Sequence, residues 1–218
     1  MLVYDGTKKE FLRSVEQDAI ACEIEENIYR KMNRHTAMNE FRAWENSLGY
    51  MYRVLNDNDI PEEAGIAIEY NIPQTSKRVD FIISGYDEKD QSNVVIVELK
   101  QWDSITAIDG MDGLVETYTG NAMRHVVHPS YQAWSYAMLI SDYNQAVQEG
   151  DIKLFPGAYL HNYRRHEDDP LDKSQYEVYL EDAPALPKVR LMNFEALLRR
   201  VLLKVIIRNF YMRLSMVE

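Results

Sequence analysis

The stretch Asn93-Val-Val-Ile-Val-Glu-Leu-Lys100 indicates both how the chain folds and where it carries buried charge. Residues 94–97 form a continuous apolar run, which is typical of a strand that is buried on both faces of a sheet. Two charged residues, Glu98 and Lys100, close this run. Because residues two apart in a strand project from the same face, we expect these two side chains to lie together, with Leu99 on the opposite face.

Neighbouring segments predict further strands of the same sheet. Residues 65–72 alternate in polarity, and residues 78–84 are rich in β-branched side chains. The polar segment 85–92 is expected to be a hairpin loop, so that the strands on either side of it are antiparallel. We expect one more strand at 152–160 and an edge strand at 176–180.

Helical spacing of apolar residues predicts helices before and after these strands. One helix is expected to run from residue 7 to about residue 32 and a second to about residue 55, with a break near residues 33–36. Pro129 is expected to open a third helix. Residues 101–128, which precede it, are expected to form a long loop. The predicted fold class is α/β or α+β, with one central mixed β-sheet flanked by α-helices.

The composition is that of a globular protein. The chain has 218 residues, of which 46% are hydrophobic and 27% charged, which excludes a disordered tail or a fibre. Cys22 is the only cysteine, so no intramolecular disulfide and no cysteine-based zinc site can form. The first ten residues lack the apolar core of a signal peptide, and no apolar run has the length of a membrane helix. We expect a cytoplasmic protein with no membrane partner.

The charge is distributed unevenly along the chain. The formal net charge is −11, yet the segment from Lys188 to Glu218 holds seven basic and two acidic residues. The acidic remainder argues against a coat or chromatin-like nucleic-acid binder, which relies on basic excess. We expect a domain over residues 1–185 and a basic C-terminal helix within 186–218 (Phe194–Met212). This helix is expected to be a capping helix, or a junction that contacts nucleic acid or a partner.

Charged residues inside the apolar strands are the candidates for chemistry. Asp80 interrupts the strand at 78–84, while Glu98 and Lys100 end the next one. Buried charges are costly unless they are paired or bind a metal. A divalent cation held by oxygen ligands can activate a water for phosphodiester hydrolysis, and a lysine beside it can stabilise the charge at phosphorus. The alternative interpretation is an ordinary ion pair at a strand end.

The pattern of Asp80 followed by Glu98-Leu-Lys100 resembles the PD-(D/E)xK nuclease signature, with Val79 in place of the proline. Five blocks extend the resemblance in order. Together they resemble the nuclease-like N-terminal domains that precede a Schlafen-type superfamily 1 DNA/RNA helicase in bacterial proteins. The blocks lie within a core of about residues 35–165 and are Glu40–Leu48, Glu69–Pro73, Arg78–Phe81, Glu98–Trp102 and His128–Tyr136.

This resemblance implies an α/β, restriction-endonuclease-like core with a metal centre. It implies that Asp80, Glu98 and the Leu99 carbonyl bind Mg²⁺ or Mn²⁺, and that a glutamate from the preceding helix completes the shell. Glu40 is the first candidate for this glutamate and Glu45 the second. The resemblance further implies that Lys100 is the catalytic base or charge stabiliser and that Gln132 orients it or the water.

Four residues near these positions are candidates for contact with nucleic acid: Lys77, Arg78, Gln101 and Trp102. For the first two the alternative is to balance the acidic cluster, and for Trp102 it is a buried aromatic. The resemblance implies a metal-dependent nuclease that acts on DNA rather than RNA, in phage defence or DNA repair, with a helicase as partner. The alternatives are a non-cutting module that binds nucleic acid or a helicase, and a structural module whose carboxylates form ordinary ion pairs.

Overall fold

The computed structural model describes residues 2–188 together with Leu198. Its helices are α1 (Lys8–Glu16), α2 (Ile20–Met32), α3 (Met38–Leu55), α4 (Pro129–Tyr143), α5 (Gln145–Gln148) and α6 (Glu177–Asp182). Its strands are β1 (Leu2–Thr7), β2 (Gly65–Asn71), β3 (Arg78–Tyr86), β4 (Ser92–Lys100), β5 (Thr106–Ala107), β6 (Leu114–Thr119), β7 (Ala122–Val127), β8 (Ile152–Leu160) and β9 (Ala185–Pro187).

A mixed sheet of six strands forms the centre of the fold, in the order β1-β2-β3-β4-β8-β9. Strands β1, β2, β3 and β4 are each antiparallel to the next in this series, whereas β8 is parallel to β4 and β9 is parallel to β8. The loop between β3 and β4 is tight because the Asp87 carboxylate accepts from the backbone N–H groups of Lys89 and Gln91. The predicted central mixed sheet and its hairpin are confirmed.

Helices cover both faces of this sheet. The first three helices pack on one face, where Phe11, Ile24 and Met51 are fully buried in a core with strand residues such as Phe81. Helix α4 packs on the other face, over a second core that includes Ile96. The continuous apolar run of β4 is explained by this arrangement, since alternate residues enter each core.

Strands β2 and β3 change the face that they present at the level of Glu69. Ile68 and its cross-strand partner Phe81 pack in the core under α1–α3, whereas Tyr70 and its partner Val79 pack in the core under α4. In regular strands, residues two apart would share a face. Glu69 has a left-handed φ of 59°, a conformation that non-glycine residues seldom adopt, and this conformation accounts for the change of face in β2.

The N-terminal region differs from the prediction in two respects. The chain begins with strand β1, and the single helix that was expected from residue 7 to residue 32 is two helices, interrupted at residues 17–19, where Asp18 has a φ of 52°. Helix α1 starts at a capping box, in which the Thr7 hydroxyl accepts from the Glu10 N–H and the Glu10 carboxylate accepts from the Thr7 N–H. The predicted break near residues 33–36 is confirmed.

Two predicted segments are wrong. Residues 101–128 are not a loop but contain the antiparallel three-stranded sheet β5-β6-β7. The segment 176–180 is not an edge strand, because residues 177–180 lie in helix α6. The edge of the central sheet is formed by β9 instead. Tyr176 is fully buried there and its hydroxyl donates to the Leu114 carbonyl at 2.7 Å, which attaches this helical turn to the small sheet.

The central sheet continues past the predicted domain boundary at residue 185, since β9 extends to Pro187. Leu198 is buried in the core under α1–α3. Apart from that residue, the predicted helix Phe194–Met212 lies outside the described residues. None of the described helices combines the length and the apolar composition that a membrane crossing requires.

Candidate metal and phosphodiester site

The end of β4 and the facing part of β3 bring two carboxylates together. The ladder between these strands ends at the pair Phe81 and Val97, and the next residues along each strand are Asp80 and Glu98. The Asp80 Oδ2 accepts from the Leu99 N–H at 2.9 Å, so this carboxylate takes the place of a backbone partner for β4. Asp80 and Glu98 are therefore neighbours, as their positions in the sequence predict.

Glu98 is 3% exposed, and one of its carboxylate oxygens accepts hydrogen bonds from two donors. Its Oε1 accepts from Lys100 Nζ at 2.7 Å and from Gln132 Nε2 at 2.6 Å. Lys100 Nζ also donates to Gln132 Oε1 at 3.0 Å, which closes a triangle of side chains. The predicted placement of Glu98 and Lys100 on one face is confirmed, and Gln132 from helix α4 joins them.

The second oxygen of Glu98, Oε2, is buried and has no hydrogen-bond partner. Burial and, next, the nearby charge of Asp80 raise the pKa of Glu98, while Lys100 opposes the shift. A buried carboxylate oxygen without a partner costs free energy, because nothing replaces the water that it lost. This oxygen is therefore suited to a ligand that carries positive charge.

The donor set fits Mg²⁺ or Mn²⁺. Asp80, Glu98 and the Leu99 carbonyl supply hard oxygen atoms, and Mg²⁺ is commonly held by one or two carboxylates and completes its shell with water. Across residues 2–188 and Leu198, no three His, Cys, Asp or Glu side chains are grouped to hold a metal ion. Among these described residues, Asp80 on β3 and Glu98 on β4 are the candidate carboxylate ligands, and a third carboxylate ligand stays a prediction.

Glu40, the predicted third carboxylate, is held by an arginine. Its Oε1 lies 2.8 Å from Arg78 Nη1, and the Arg78 Nε forms an ion pair with Glu69. Glu40, Glu69, Arg78 and Asp80 all line a cleft of about 150 Å³ between α3 and the sheet. Glu45 is exposed on the same helix, so the structure places Glu40 and not Glu45 at this cleft.

Glu69 is a cleft residue that sequence reasoning missed. It is 3% exposed, and its Oε1 accepts from the Trp44 indole N–H at 2.7 Å. Burial raises the pKa of Glu69 to about 7, and the charge of Arg78 acts against this shift. A glutamate inside an apolar strand was a usable signal, the same one that identified Asp80.

The predicted nucleic-acid contacts lie in different environments. Lys77 is exposed and Arg78 is half-buried in its two ion pairs. Gln101 is turned inward, and its Nε2 donates to atoms of helix α3. Trp102 is half-buried, with Lys100 Nζ 5.2 Å from the centre of its ring. Contact of these residues with nucleic acid stays a prediction.

Tyr136 is a further residue that was not predicted for the site. It is buried one helical turn after Gln132, and its hydroxyl accepts from Gln132 Nε2 at 2.8 Å. The spacing of four residues predicts that Tyr136 lies on the same face of the helix as Gln132, and the structure confirms this.

Comparison of the chain with protein-family models, with curated proteins and with solved structures finds no match.

Proposed function

We propose that this chain is a metal-dependent nuclease that hydrolyses phosphodiester bonds of nucleic acid, with DNA favoured over RNA. The observation that carries the proposal is the buried Glu98, whose Oε1 is bound by Lys100 and Gln132 while its Oε2 is left without a partner beside Asp80. An ordinary ion pair gives no reason to bury Glu98 beside a second carboxylate, because each further buried charge adds a desolvation cost.

The architecture supports a finer assignment of the fold. Apart from the small sheet β5–β7 and the short helix α5, the chain from α3 to β8 forms a helix, three antiparallel strands, a helix and a strand parallel to the third strand. We assign this part of the chain to the restriction-endonuclease-like core that the resemblance to PD-(D/E)xK nucleases implies. The same resemblance suggests a cytoplasmic role in phage defence or DNA repair, with a helicase as partner.

In this proposal Asp80, Glu98 and the Leu99 carbonyl hold Mg²⁺ or Mn²⁺, with Glu40 as an additional ligand. When bound, such a cation polarises a phosphoryl oxygen and lowers the pKa of a coordinated water. The acidic character of the cleft makes this role necessary, because without added positive charge the carboxylates would repel a polyanion.

Lys100 is the residue that acts on the substrate in this proposal. Its ammonium group stabilises the negative charge that develops at phosphorus, or receives the proton of the attacking water if it is neutral at that moment. Gln132 holds it in place, since Gln132 Oε1 accepts from Lys100 while Gln132 Nε2 donates to Glu98. The ring of Trp102 covers one side of the ammonium group and limits its access to water.

The experiment is cleavage of supercoiled plasmid, single-stranded DNA and RNA in Mg²⁺ and in Mn²⁺, with EDTA as the metal-free control. Lys100→Ala is expected to lower the rate by a factor on the order of a hundred or more. Lys89→Ala, which removes a lysine of the β3–β4 loop, is the matched control and should keep full activity. Cleavage that survives Lys100→Ala would contradict the proposal. Binding of nucleic acid without cleavage would instead support the non-cutting module.

A further inference from the structure

The end of β4 has a pairing neighbour on one side only. Strand β8 accompanies it through the pair of Lys100 and Leu160, whereas the ladder to β3 stops at Val97. The three residues of β4 that carry the proposed chemistry therefore lie beyond the last pair with β3. One donor on that side, the Leu99 N–H, is directed to a carboxylate instead of a strand. On the side of β3, contacts other than a strand ladder must hold this segment in position.

Gln101, the first residue after β4, supplies that attachment. Both hydrogens of its amide are used on helix α3: Nε2 donates to the Ala43 carbonyl at 3.0 Å and to the Ser47 hydroxyl at 3.1 Å. Its backbone carbonyl accepts from Asn162 Nδ2 at 3.0 Å. The side chain and the main chain of one residue thus connect β4 to α3 and to the segment after β8.

Ser47 and His161 join these two connections into a closed ring. The Ser47 Oγ lies 3.1 Å from His161 Nε2, and His161 Nδ1 lies 3.3 Å from Asn162 Oδ1. Both Ser47 and His161 are buried, and the imidazole stacks on Tyr50 with 4.3 Å between ring centres. The four side chains that form the hydrogen-bonded ring are Gln101, Ser47, His161 and Asn162.

The donors and acceptors around the ring determine the direction in which its hydrogen bonds run, from donor to acceptor. Because Asn162 Nδ2 donates to Gln101, its Oδ1 is the atom that faces His161, and His161 Nδ1 must carry the proton. His161 Nε2 is then an acceptor, so the Ser47 hydroxyl donates to it while accepting from Gln101. Every member of the ring both gives and receives a hydrogen bond in the same sense, an arrangement in which the bonds strengthen one another. Burial lowers the pKa of His161, which favours the neutral ring that this order requires.

The backbone of His161 also holds the end of β4, since its N–H donates to the Lys100 carbonyl at 3.2 Å. We infer that Gln101, Ser47 and His161 are positioning residues, and that the ring sets the location of the Leu99 carbonyl and of Lys100 for phosphodiester cleavage. This inference rests on the proposed nuclease function. It also assigns the amide of Gln101 to the interior of the protein and not to nucleic acid.

The test replaces Gln101 by leucine, a side chain of comparable size without hydrogen-bond donors or acceptors. The matched control is Gln91→Leu, because Gln91 adjoins the other end of β4 and its Nε2 donates to the Gly150 and Asp151 carbonyls beside the start of β8. Gln101→Leu is expected to lower kcat by about tenfold to a hundredfold while KM for DNA stays nearly constant, since a small displacement of reacting groups has an effect of this size. Gln91→Leu should change neither constant.

Ser47→Ala provides a second break in the ring. Its effect on kcat should resemble that of Gln101→Leu, and the double variant should be little worse than either single one, because both remove the same unit. Equal losses of kcat in Gln101→Leu and Gln91→Leu would overturn the inference, since they would point to general destabilisation.

Amide hydrogen exchange separates this inference from the proposed function. Exchange at residues 99–102 should increase in Gln101→Leu and stay unchanged in Gln91→Leu, whether or not the chain cleaves DNA. If the parent chain cleaves nothing, the proposed function fails while the exchange data still decide whether the ring holds the end of β4. Unchanged exchange in Gln101→Leu would overturn the inference even in an active enzyme.

Discussion

At the scale of single residues, the site is a balance of like and unlike charges at short range. Burial and the nearby charge of Asp80 raise the pKa of Glu98, and Lys100 counteracts part of this effect. In the cleft that Asp80 also lines, Arg78 forms ion pairs with Glu40 and the buried Glu69. Lys100 thus offsets the charge of Glu98, and Arg78 is shared between two carboxylates that would otherwise repel one another.

A substitution at Asp80 tests this balance. Asp80→Asn retains an acceptor for the Leu99 N–H but removes the charge next to Glu98. In EDTA we expect the free energy of unfolding to stay the same or to rise by about 0.5–1 kcal/mol, because like-charge repulsion is relieved. In Mn²⁺ the variant should gain less stability than the parent chain, since it holds the ion less tightly.

Urea unfolding with and without Mn²⁺ measures both effects. Glu88→Gln, which neutralises an exposed carboxyl group of the β3–β4 loop, is the control. It should change neither the free energy of unfolding in EDTA nor the stability gained in Mn²⁺. A loss of more than about 1 kcal/mol for Asp80→Asn in EDTA would instead favour the interpretation of Asp80 as a member of an ordinary stabilising ion pair.

At the scale of secondary structure, helix α4 begins at a buried histidine. The His128 Nδ1 accepts from the Ser130 N–H at 3.2 Å, and the imidazole stacks on Tyr176 with 4.3 Å between ring centres. Burial lowers the pKa of His128 from 6.5 to about 4. Only the neutral ring can accept at Nδ1, so the cap that starts the helix carrying Gln132 depends on pH.

His128 should make stability depend on pH between about 6.5 and 4. The unfolded chain takes up the proton near pH 6.5 and the folded chain only near pH 4, so the contribution is complete above pH 6.5 and is lost as pH falls to 4. The difference corresponds to roughly 3 kcal/mol at most. The measurement is the free energy of unfolding at pH 7.5 and pH 4.5 for the parent chain and for His128→Asn. Between these two pH values the parent should lose more stability than this variant. Equal losses would contradict the attribution of this pH dependence to His128.

The alternation of side chains between the two faces of a strand made most of the central sheet and part of the site predictable. The apolar run of β4 and the spacing of Glu98 and Lys100 follow from a period of two residues, and the structure confirms them. Strand β7 could not be found in this way, because five of its six residues are exposed and no alternation exists. The segment at 176–180 alternates in sequence, but Val178 is 71% exposed on a helix, so its pattern does not report burial.

The cleft beside α3 was less predictable than the carboxylate pair. The positive φ of Glu69 turns its strand at that residue, so no rule of alternation could place its side chain. The ion pair of Arg78 with Glu40 joins a strand to a helix 38 positions earlier in the chain, and a sequence gives no distance between them. Likewise, the inward direction of Gln101 depends on helix α3 lying within reach.

At the scale of the whole molecule, the question is where the domain ends. Leu198 is fully buried with residues of α1, α2 and α3, although the sequence predicts a domain that closes at residue 185. Leu198→Ala is expected to lower the free energy of unfolding by about 2–5 kcal/mol, the usual cost of removing a buried leucine side chain. Val178→Ala, at a site that is 71% exposed, should cost less than about 0.5 kcal/mol.

Equilibrium unfolding in urea of the two variants gives the comparison. A negligible loss for Leu198→Ala would favour the predicted junction or partner segment over the predicted capping helix. A large loss would show that Leu198 is part of the folded core, and a chain truncated at residue 185 would then lack a piece of that core.

The hydrogen-bonded ring also determines when the site can form during synthesis. Ser47 and His161, which meet in that ring, are separated by 114 positions along the chain. Lys100 and Gln132 are separated by 32 positions. Contacts of such long range close late, because the entropy of the intervening loops must be lost first. A growing chain therefore cannot complete the ring until Asn162 has been synthesised and has left the ribosome, so assembly of the site waits for the segment that follows β8.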